Sequence, residues 1–416
     1  MFRIGTSAGR LLRMDTASRP ALLAVFAVAF LIHFPTIGNA LGDEDSFNAL
    51  LEAYLALTGQ GSAWVEGGSW LAHQNLQRLL PALTWTARLW LFDLWMPGWH
   101  LPSLLLHGLN SVLVMGLARR LGLKGSATLT AGLLFAVSPT VPHVVAWLGA
   151  TSDLMCASFM LGALIAFIDR RAALCALCTA GAMLSKETGV LTPALLGWYW
   201  LWREREGGLS GGMRRLAPCL APWLAIAGLR AAQLLFAGGL QDAGLPGRSV
   251  AFEASALLVV GPSALAYGLG AALKPLGAPQ VIAAATGGLL VAGLALRSSR
   301  NIAIFGFLAA LGLLVPILVL RDFGQPFGLD FVLYSPRYLY LPLALATPGL
   351  AALLLQPAAW WGRGLAITLI VAGAAQAGTD TLRTADPDRS TDALQELRTA
   401  AQTQPNSRLT VLANRF

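Results

Sequence analysis

Long apolar runs, separated by short polar stretches, make up most of the chain. A helix that crosses the hydrocarbon core of a bilayer needs about 20 apolar residues, and eleven runs approach that length. The pattern predicts an all-α polytopic membrane protein with about eleven transmembrane helices. The candidate spans lie near residues 20–39, 101–118, 126–147, 153–168, 171–185, 188–202, 215–236, 281–297, 301–320, 338–355 and 363–378.

Basic residues mark one side of this predicted bundle. They precede the first run and then recur in alternate loops, and an excess of Lys and Arg is typical of cytoplasmic loops. The first run is long and lacks a small-residue cleavage site, so we expect it to remain as a helix with a cytoplasmic N-terminus. The basic clusters are Arg3, Arg10, Arg13 and Arg19; Arg119, Arg120 and Lys124; Arg170 and Arg171; Arg203, Arg205, Arg214 and Arg215; Arg297 and Arg300; and Arg363.

One apolar segment, residues 254–272, does not fit this alternation. Counting it as a span would move the later basic clusters to the outside. Irregular backbone is tolerated at membrane depth where protein buries it. We therefore interpret region 250–280 as a re-entrant or interface-lying hairpin, broken at Gly261 and Pro262.

Composition supports membrane residence and excludes several other classes. The chain has 416 residues, of which 56% are hydrophobic and only 12% charged, whereas soluble domains carry about 25% charged residues. The net charge of +8 lies in the loop clusters, so it indicates orientation and not nucleic-acid binding. The four cysteines lie in apolar runs, and Cys175 and Cys178 lack the second pair that a metal site would need.

The alternation divides the chain into two regions. Residues 1–378 form the predicted transmembrane domain, whose first outer loop covers 40–100, and residues 379–416 form a short non-cytoplasmic helical tail. The tryptophan-rich part of the first outer loop has helix-like apolar spacing, which predicts amphipathic helices at the membrane interface. Three adjacent acids, Asp43, Glu44 and Asp45, begin this loop directly after the first span.

Four short motifs occur along the chain in the order typical of one enzyme superfamily. The stretch from Arg78 contains Gly-Trp-His at 98–100 and then His107 and Asn110. The segment from 138 to 153, a Ser-Lys-Glu at 185–187 and an Arg-Tyr-Leu-Tyr-Leu-Pro at 337–342 follow. Together these motifs resemble those of the GT-C membrane glycosyltransferases, and most closely the O-mannosyltransferase-like proteins that often carry TPR repeats.

The resemblance is incomplete at three positions. Leu79 stands where the family has proline, Ser138 where it has histidine, and His143 where glutamate is usual. These departures bear on the identity of the sugar and the acceptor more than on the reaction class.

The resemblance implies a GT-C fold and a polyprenyl-phosphate sugar as donor. It also implies a reaction outside the cytoplasm, with an acid of the first outer loop as the catalytic group. Asp43, Glu44 and Asp45 occupy that position, and either an Asp43-Glu44 or a Glu44-Asp45 pair fits the family's two adjacent acids. An Asp-Glu pair beginning at Asp43 matches one branch of the family, which favours Asp43 slightly.

The residues themselves suggest how such a reaction would run. Negative charge grows on the departing phosphate, and fixed cations lower that barrier. Lys186 and Arg337 lie on the predicted outer side at helix ends and are the candidates for donor-phosphate contact, together with Tyr338 and with Arg230 inside the seventh span. A carboxylate near the membrane surface takes the proton of the attacking hydroxyl, and direct attack inverts the anomeric centre.

The other polar groups of the outer side form a wider set of candidates. The substrate-pocket candidates are Arg78, His100, His107, His143 and Glu187. Each also has a structural interpretation, because the histidines could be hydrogen-bonded packing groups, Glu187 could pair with its neighbour, and the acids could cap a helix. Lys186 and Arg337 could equally be interface residues that extend their charge to water.

We expect no required cofactor, although Asp43 and Asp45 offer oxygen ligands that suit Mg²⁺ or Mn²⁺. The expected partners are the lipid bilayer, the polyprenyl-phosphate sugar and a protein, glycan or lipid acceptor, with no nucleic acid. The predicted location is a bacterial inner membrane with the active site facing the periplasm. Two alternatives remain, namely a transporter or flippase of lipid-linked substrates and an inactive scaffold on the same fold.

Overall fold

The computed structural model describes residues 18–39, 78–93, 95–204, 208–236, 261–272, 286–287, 300–320, 336–355 and 360–384. Every regular element in these ranges is helical. The predicted catalytic acids at 43–45 and the predicted tail helix beyond 384 lie outside the described residues.

The described ranges contain thirteen α-helices. They are α1 (Ser18–His33), α2 (Leu79–Phe92), α3 (Met96–Arg120), α4 (Ser126–Ala136), α5 (Val141–Ala146), α6 (Thr151–Ile168), α7 (Ala172–Ser185), α8 (Thr192–Arg203), α9 (Gly208–Phe236), α10 (Gly261–Gly270), α11 (Arg300–Leu320), α12 (Tyr340–Leu354) and α13 (Trp360–Thr384). Short 3₁₀ turns follow α1 and join other helices at Phe34–Gly38, Leu148–Ala150, Glu187–Leu191 and Pro336–Leu339.

Five of the described segments are long and apolar enough to cross a membrane. The prediction of an all-α polytopic membrane protein is therefore confirmed, while the exact number of spans and their orientation stay predictions. The five segments are Arg19–Gly38, Met96–Arg120, Leu148–Ile168, Arg337–Leu354 and Gly362–Leu382.

The stretch expected to be one span at 126–147 is divided in the structure. Helix α4 ends at Ala136, and α5 begins at Val141. Pro139 lies in the gap, and a proline disfavours the helical conformation of the residue before it. Because Pro142 has a fixed φ and needs no amide hydrogen bond, it is suited to the first turn of α5.

Two other predicted segments are described in part. Helix α10 begins at Gly261 with Pro262 in its first turn, which is the position of the expected break. The preceding residues of the predicted hairpin lie outside the described ranges, so the hairpin stays a prediction. Helix α13 continues through Thr384, beyond the expected end of the last span at 378.

The predicted amphipathic helix of the first outer loop is present as α2. Its inner face is buried and includes Trp85, Arg88 and Leu89, while Trp90 and Leu91 on the other face are exposed. This two-sided helix packs against α3, α6 and α7. Its position on the membrane surface stays a prediction.

Helices α11 and α12 approach each other through small residues. A Cβ atom built at Gly306 would lie only 2.6 Å from the backbone oxygen of Leu345, and one at Gly349 would lie 2.9 Å from Cα of Ala303. Without a hydrophobic force between helices in lipid, such close backbone approach is a main source of association. The two glycines therefore let α12 pack into the buried centre of the bundle.

This packing predicts a difference between two glycines of the same helix. Gly306→Ala should destabilise the protein by about 1–3 kcal/mol, because the added methyl meets backbone that cannot move aside. Gly312→Ala is the matched control, since nothing lies within 4 Å of its added Cβ and alanine favours a helix. Thermal unfolding of the two detergent-purified variants measures the effect, and equal melting temperatures would contradict the packing account.

Candidate functional site

Polar side chains from four separated parts of the chain meet where helices end. Trp147 follows α5, Asp153 lies in the first turn of α6, Lys186 follows α7, and Arg337 lies in the 3₁₀ turn before α12. A helix end leaves backbone groups without intrahelical partners and brings the chain into a new direction. We refer to these four residues together with Tyr338 as the junction cluster.

The innermost interaction of the junction cluster is an ion pair between Lys186 Nζ and Asp153 Oδ1. The two side chains are only 9% and 13% exposed. Lys186 has an extended backbone at the end of α7, which turns its side chain away from that helix and toward α6. Asp153 lies near the N-terminus of α6, where the helix dipole favours a negative charge.

Aromatic rings surround both cations of the cluster. The guanidinium carbon of Arg337 lies 3.8 Å from the ring centre of Trp147 and 5.0 Å from that of Tyr338. Lys186 Nζ lies 5.4 Å from the centre of the same Tyr338 ring. Both predicted phosphate-binding cations therefore flank Tyr338, although 151 positions separate them in the sequence (337 − 186 = 151).

A second ion pair lies at the edge of the cluster. Arg78 Nε donates to Glu187 Oε1 at 3.1 Å, and both side chains are nearly half exposed. Burial alone would raise the pKa of Glu187, but the charge and hydrogen bond of Arg78, a backbone N–H and the charge of Lys186 together lower it. Glu187 is therefore an anion that joins the segment beginning at Arg78 to the end of α7.

Two carboxylates neutralise cations in and beside the junction cluster. Asp153 balances the charge of Lys186, and Glu187 balances that of Arg78. Arg337 stacks on the rings of Trp147 and Tyr338, which orients its planar guanidinium. An anionic group that approached Tyr338 would meet Arg337 and Lys186 together, and both are types that bind phosphate oxygens.

His107 belongs to a different part of the protein. Its Nδ1 lies 2.9 Å from the hydroxyl of Tyr340, and its Nε2 lies 3.1 Å from the carbonyl oxygen of Ala136. Asn110 also donates to the Tyr340 hydroxyl, at 3.1 Å, and accepts a hydrogen bond from Ser158. These groups are buried and join α3, α4, α6 and α12, which agrees with the structural interpretation of this histidine.

Three other predicted residues lie on α3, α5 and α9. His100 is fully buried on α3, beside the backbone of Asn39 and Val145. His143 is exposed on α5, and Arg230 lies on α9, a helix that packs mainly against α7. Asp43, Glu44 and Asp45 lie outside the described residues, so the metal site that Asp43 and Asp45 could form stays a prediction.

Two members of the junction cluster were absent from the predicted site. Asp153 and Trp147 are not among the predicted donor-phosphate or substrate-pocket residues. Neither has a local signal of pairing, because Asp153 is 33 positions before Lys186 and Trp147 is 190 positions before Arg337. The available signal was that both occur in the family-like segments, and that an acid near the start of an apolar helix needs a partner.

No protein-family model matches the chain, and no curated protein matches it. A crystal structure of ArnT from Cupriavidus metallidurans bound to undecaprenyl phosphate is similar, with a TM-score of 0.49 and 16% sequence identity. The match covers 96% of this chain but 64% of that chain, so this chain spans less than two thirds of its length. A likeness at this level assigns neither a family nor the role of any residue.

The inner ion pair predicts strong coupling between its two partners. Lys186→Met or Asp153→Leu alone should cost about 3–5 kcal/mol, because each leaves a buried charge without its counter-ion. The double variant should lose much less than the sum of the two. Thermal unfolding of all four proteins in detergent measures this coupling.

The outer ion pair supplies the matched control for this experiment. Arg78→Gln and Glu187→Gln should each change stability by less than about 1 kcal/mol, since exposed pairs are screened by water. Additive losses at Lys186 and Asp153 would show that the two side chains are not coupled.

Proposed function

We propose that the chain is an inverting GT-C-type glycosyltransferase that moves a sugar from a polyprenyl-phosphate donor to an acceptor hydroxyl. The observation that supports this most is the junction cluster, in which Lys186 and Arg337 flank Tyr338 at the ends of membrane helices. A membrane protein retains unsatisfied or costly charges mainly where a substrate uses them. The order of the four family-like motifs along the chain supports the same reaction class.

In the proposed reaction the donor's phosphate lies beside Tyr338, within reach of Arg337 and Lys186. Arg337 contacts its oxygens through two parallel N–H groups, and Lys186 adds a nearby point charge. As the bond between the anomeric carbon and the phosphate oxygen breaks, its electron pair remains on that oxygen. The fixed cations stabilise this growing charge more than the charge of the intact donor, which lowers the barrier.

Asp153 has a supporting role in this proposal. Its carboxylate holds the ammonium group of Lys186 in one position and reduces the cost of burying it. The stacking of Arg337 on Trp147 does the same for the guanidinium. Both cations are thus oriented before the donor arrives, so little reorganisation is needed during the reaction.

An acid of the run Asp43, Glu44 and Asp45 is the proposed general base. It accepts the proton of the acceptor hydroxyl as the oxygen attacks the anomeric carbon from the side opposite the phosphate. One displacement inverts the anomeric centre and forms no enzyme-bound sugar. The proposed location of this chemistry is the periplasmic face of a bacterial inner membrane, with a mannose-like hexose and a protein, glycan or lipid acceptor as the expected substrates.

The acids predict the clearest loss of activity. Asp43→Asn or Asp45→Asn should reduce sugar transfer by at least about a hundredfold, because a positioned base contributes about 10²–10⁴-fold. The measurement uses purified protein, radiolabelled polyprenyl-phosphate sugars and membranes from a strain that lacks the chain as acceptor. Normal transfer by both variants and by Glu44→Gln would exclude this base, and unchanged activity in EDTA is expected for the metal-independent reaction.

Arg337 predicts a defect of a different kind. Arg337→Ala should slow transfer by about 10–100-fold, since one charge-assisted contact to the phosphate is worth about 1.5–3 kcal/mol. The loss should appear in kcat/KM for the donor and leave KM for the acceptor unchanged. Arg120→Ala is the control, because Arg120 pairs with Asp169 away from the junction cluster. Normal donor kinetics in Arg337→Ala would remove this residue from the mechanism.

A further inference from the structure

A buried arginine outside the junction cluster has no counter-ion among the described residues. Arg88 lies on the inner face of α2 and is only 3% exposed. Its Nη1 donates to the hydroxyl of Thr151 at 3.2 Å, whereas its Nε and Nη2 have no hydrogen-bond partner. A buried charge without a paired anion costs several kcal/mol, so such a group requires an explanation.

Loss of a proton does not remove this cost, because the Arg88 guanidinium stays protonated at neutral pH. Burial lowers the pKa of the Arg88 guanidinium to about 10, which still leaves it charged at neutral pH. Thr151 is a neutral partner and occupies one nitrogen only. The remaining positive charge therefore faces a part of the interior that offers it no negative group from the described chain.

The two unpartnered nitrogens are the adjacent pair that binds an oxyanion side by side. In the same protein, the corresponding edge of Arg120 is occupied by a carboxylate. Its Nη1 donates to the Gly116 carbonyl, while its Nε and Nη2 donate to the two carboxylate oxygens of Asp169 at 2.8 and 2.6 Å. Arg88 has the same single contact through Nη1 but lacks an oxyanion on the other edge.

Other buried hydrogen-bond donors without a partner lie on α2 and α3. Trp85, one turn before Arg88 on α2, is buried and has no partner for its indole N–H. Ser103 on α3 is buried with an unpartnered hydroxyl, one turn after His100. Arg88 lies close enough to His100 of α3 for its charge to act on the ring.

We propose that the Nε–Nη2 edge of Arg88 is a second anion-binding site, which takes the phosphate group of a ligand. A phosphate can place two oxygens side by side on that edge, as the carboxylate of Asp169 does on Arg120. The phosphate belongs either to a lipid headgroup or to a free phosphate compound. It reaches the buried site when α2, whose other face is exposed, moves away from α3.

The site is independent of the proposed transferase reaction. Its test uses full-length protein in a maltoside detergent, with Arg337→Ala as the parent so that the junction cluster contributes little. Calorimetric titration with inorganic phosphate and with dodecyl phosphate measures the dissociation constants. Binding of dodecyl phosphate alone indicates a lipid headgroup, and comparable binding of both probes indicates a free phosphate compound; either result supports the site.

Arg88→Gln in this background should weaken phosphate binding at least about tenfold, since loss of a bidentate charged contact costs 1.4 kcal/mol or more. Arg88→Lys keeps the charge but not the paired N–H groups, and it should bind with intermediate affinity even if Arg88→Gln folds poorly. Arg120→Gln is the matched control and should bind as the parent does, because its own edge is already filled by Asp169.

Two results would overturn the site. The first is equal affinity in the parent and in Arg88→Lys and Arg88→Gln. The second is a parent that binds neither probe.

Discussion

A bilayer offers no hydrogen-bond partner to a peptide backbone, and this constraint decides where the protein keeps its chemistry. Within the hydrocarbon core the backbone must satisfy itself, which explains why the described elements are helices. A helix interrupted at membrane depth is tolerated only where other protein groups cover the break. Here the breaks after α5, after α7 and before α12 are brought together, and the polar side chains of the junction cluster lie at them.

Charged side chains among the helices also need partners. Lys186 and Arg120 have carboxylates, and Arg337 has aromatic faces. A carboxylate pairs with a cation by opposite charge, whereas an aromatic ring orients a cation through its π electrons. Arg88 has neither within the described residues, which makes it the most costly charge of this set and separates it from the structural pairs.

The class of fold and part of the candidate site could be predicted from the sequence. Apolar runs of membrane length predicted the helices, and tryptophan spacing predicted α2 as a two-sided helix. The break near Pro139 was missed, because an apolar run of sufficient length conceals a local interruption. Lys186, Arg337 and Tyr338 were selected from motifs, and the structure brings them together.

The parts that escaped prediction depend on contacts between distant segments. Nothing near Asp153 indicates that its partner is Lys186, and the apolar spacing of α2 does not reveal that Arg88 faces inward. Conversely, His100 and His107 are seven residues apart on α3 and so share a helix face, yet His107 joins a core network and His100 is buried beside the backbone of Asn39 and Val145. Periodicity predicts which side of a helix a residue occupies, but not which neighbour covers that side.

The end of α4 at Ala136 has a consequence for how the chain is assembled. The carbonyl of Ala136, left open at the end of α4, lies 3.1 Å from Nε2 of both His33 and His107, so both rings donate to one oxygen. His33 also contacts the hydroxyl of Thr381, 348 residues later, through Nδ1. Helix α1 therefore carries an imidazole whose partners follow it by 103 and 348 positions in the sequence. During synthesis α1 must hold this polar ring without those partners until α4 and then α13 have been made, and an unpartnered polar group is costly in an apolar medium.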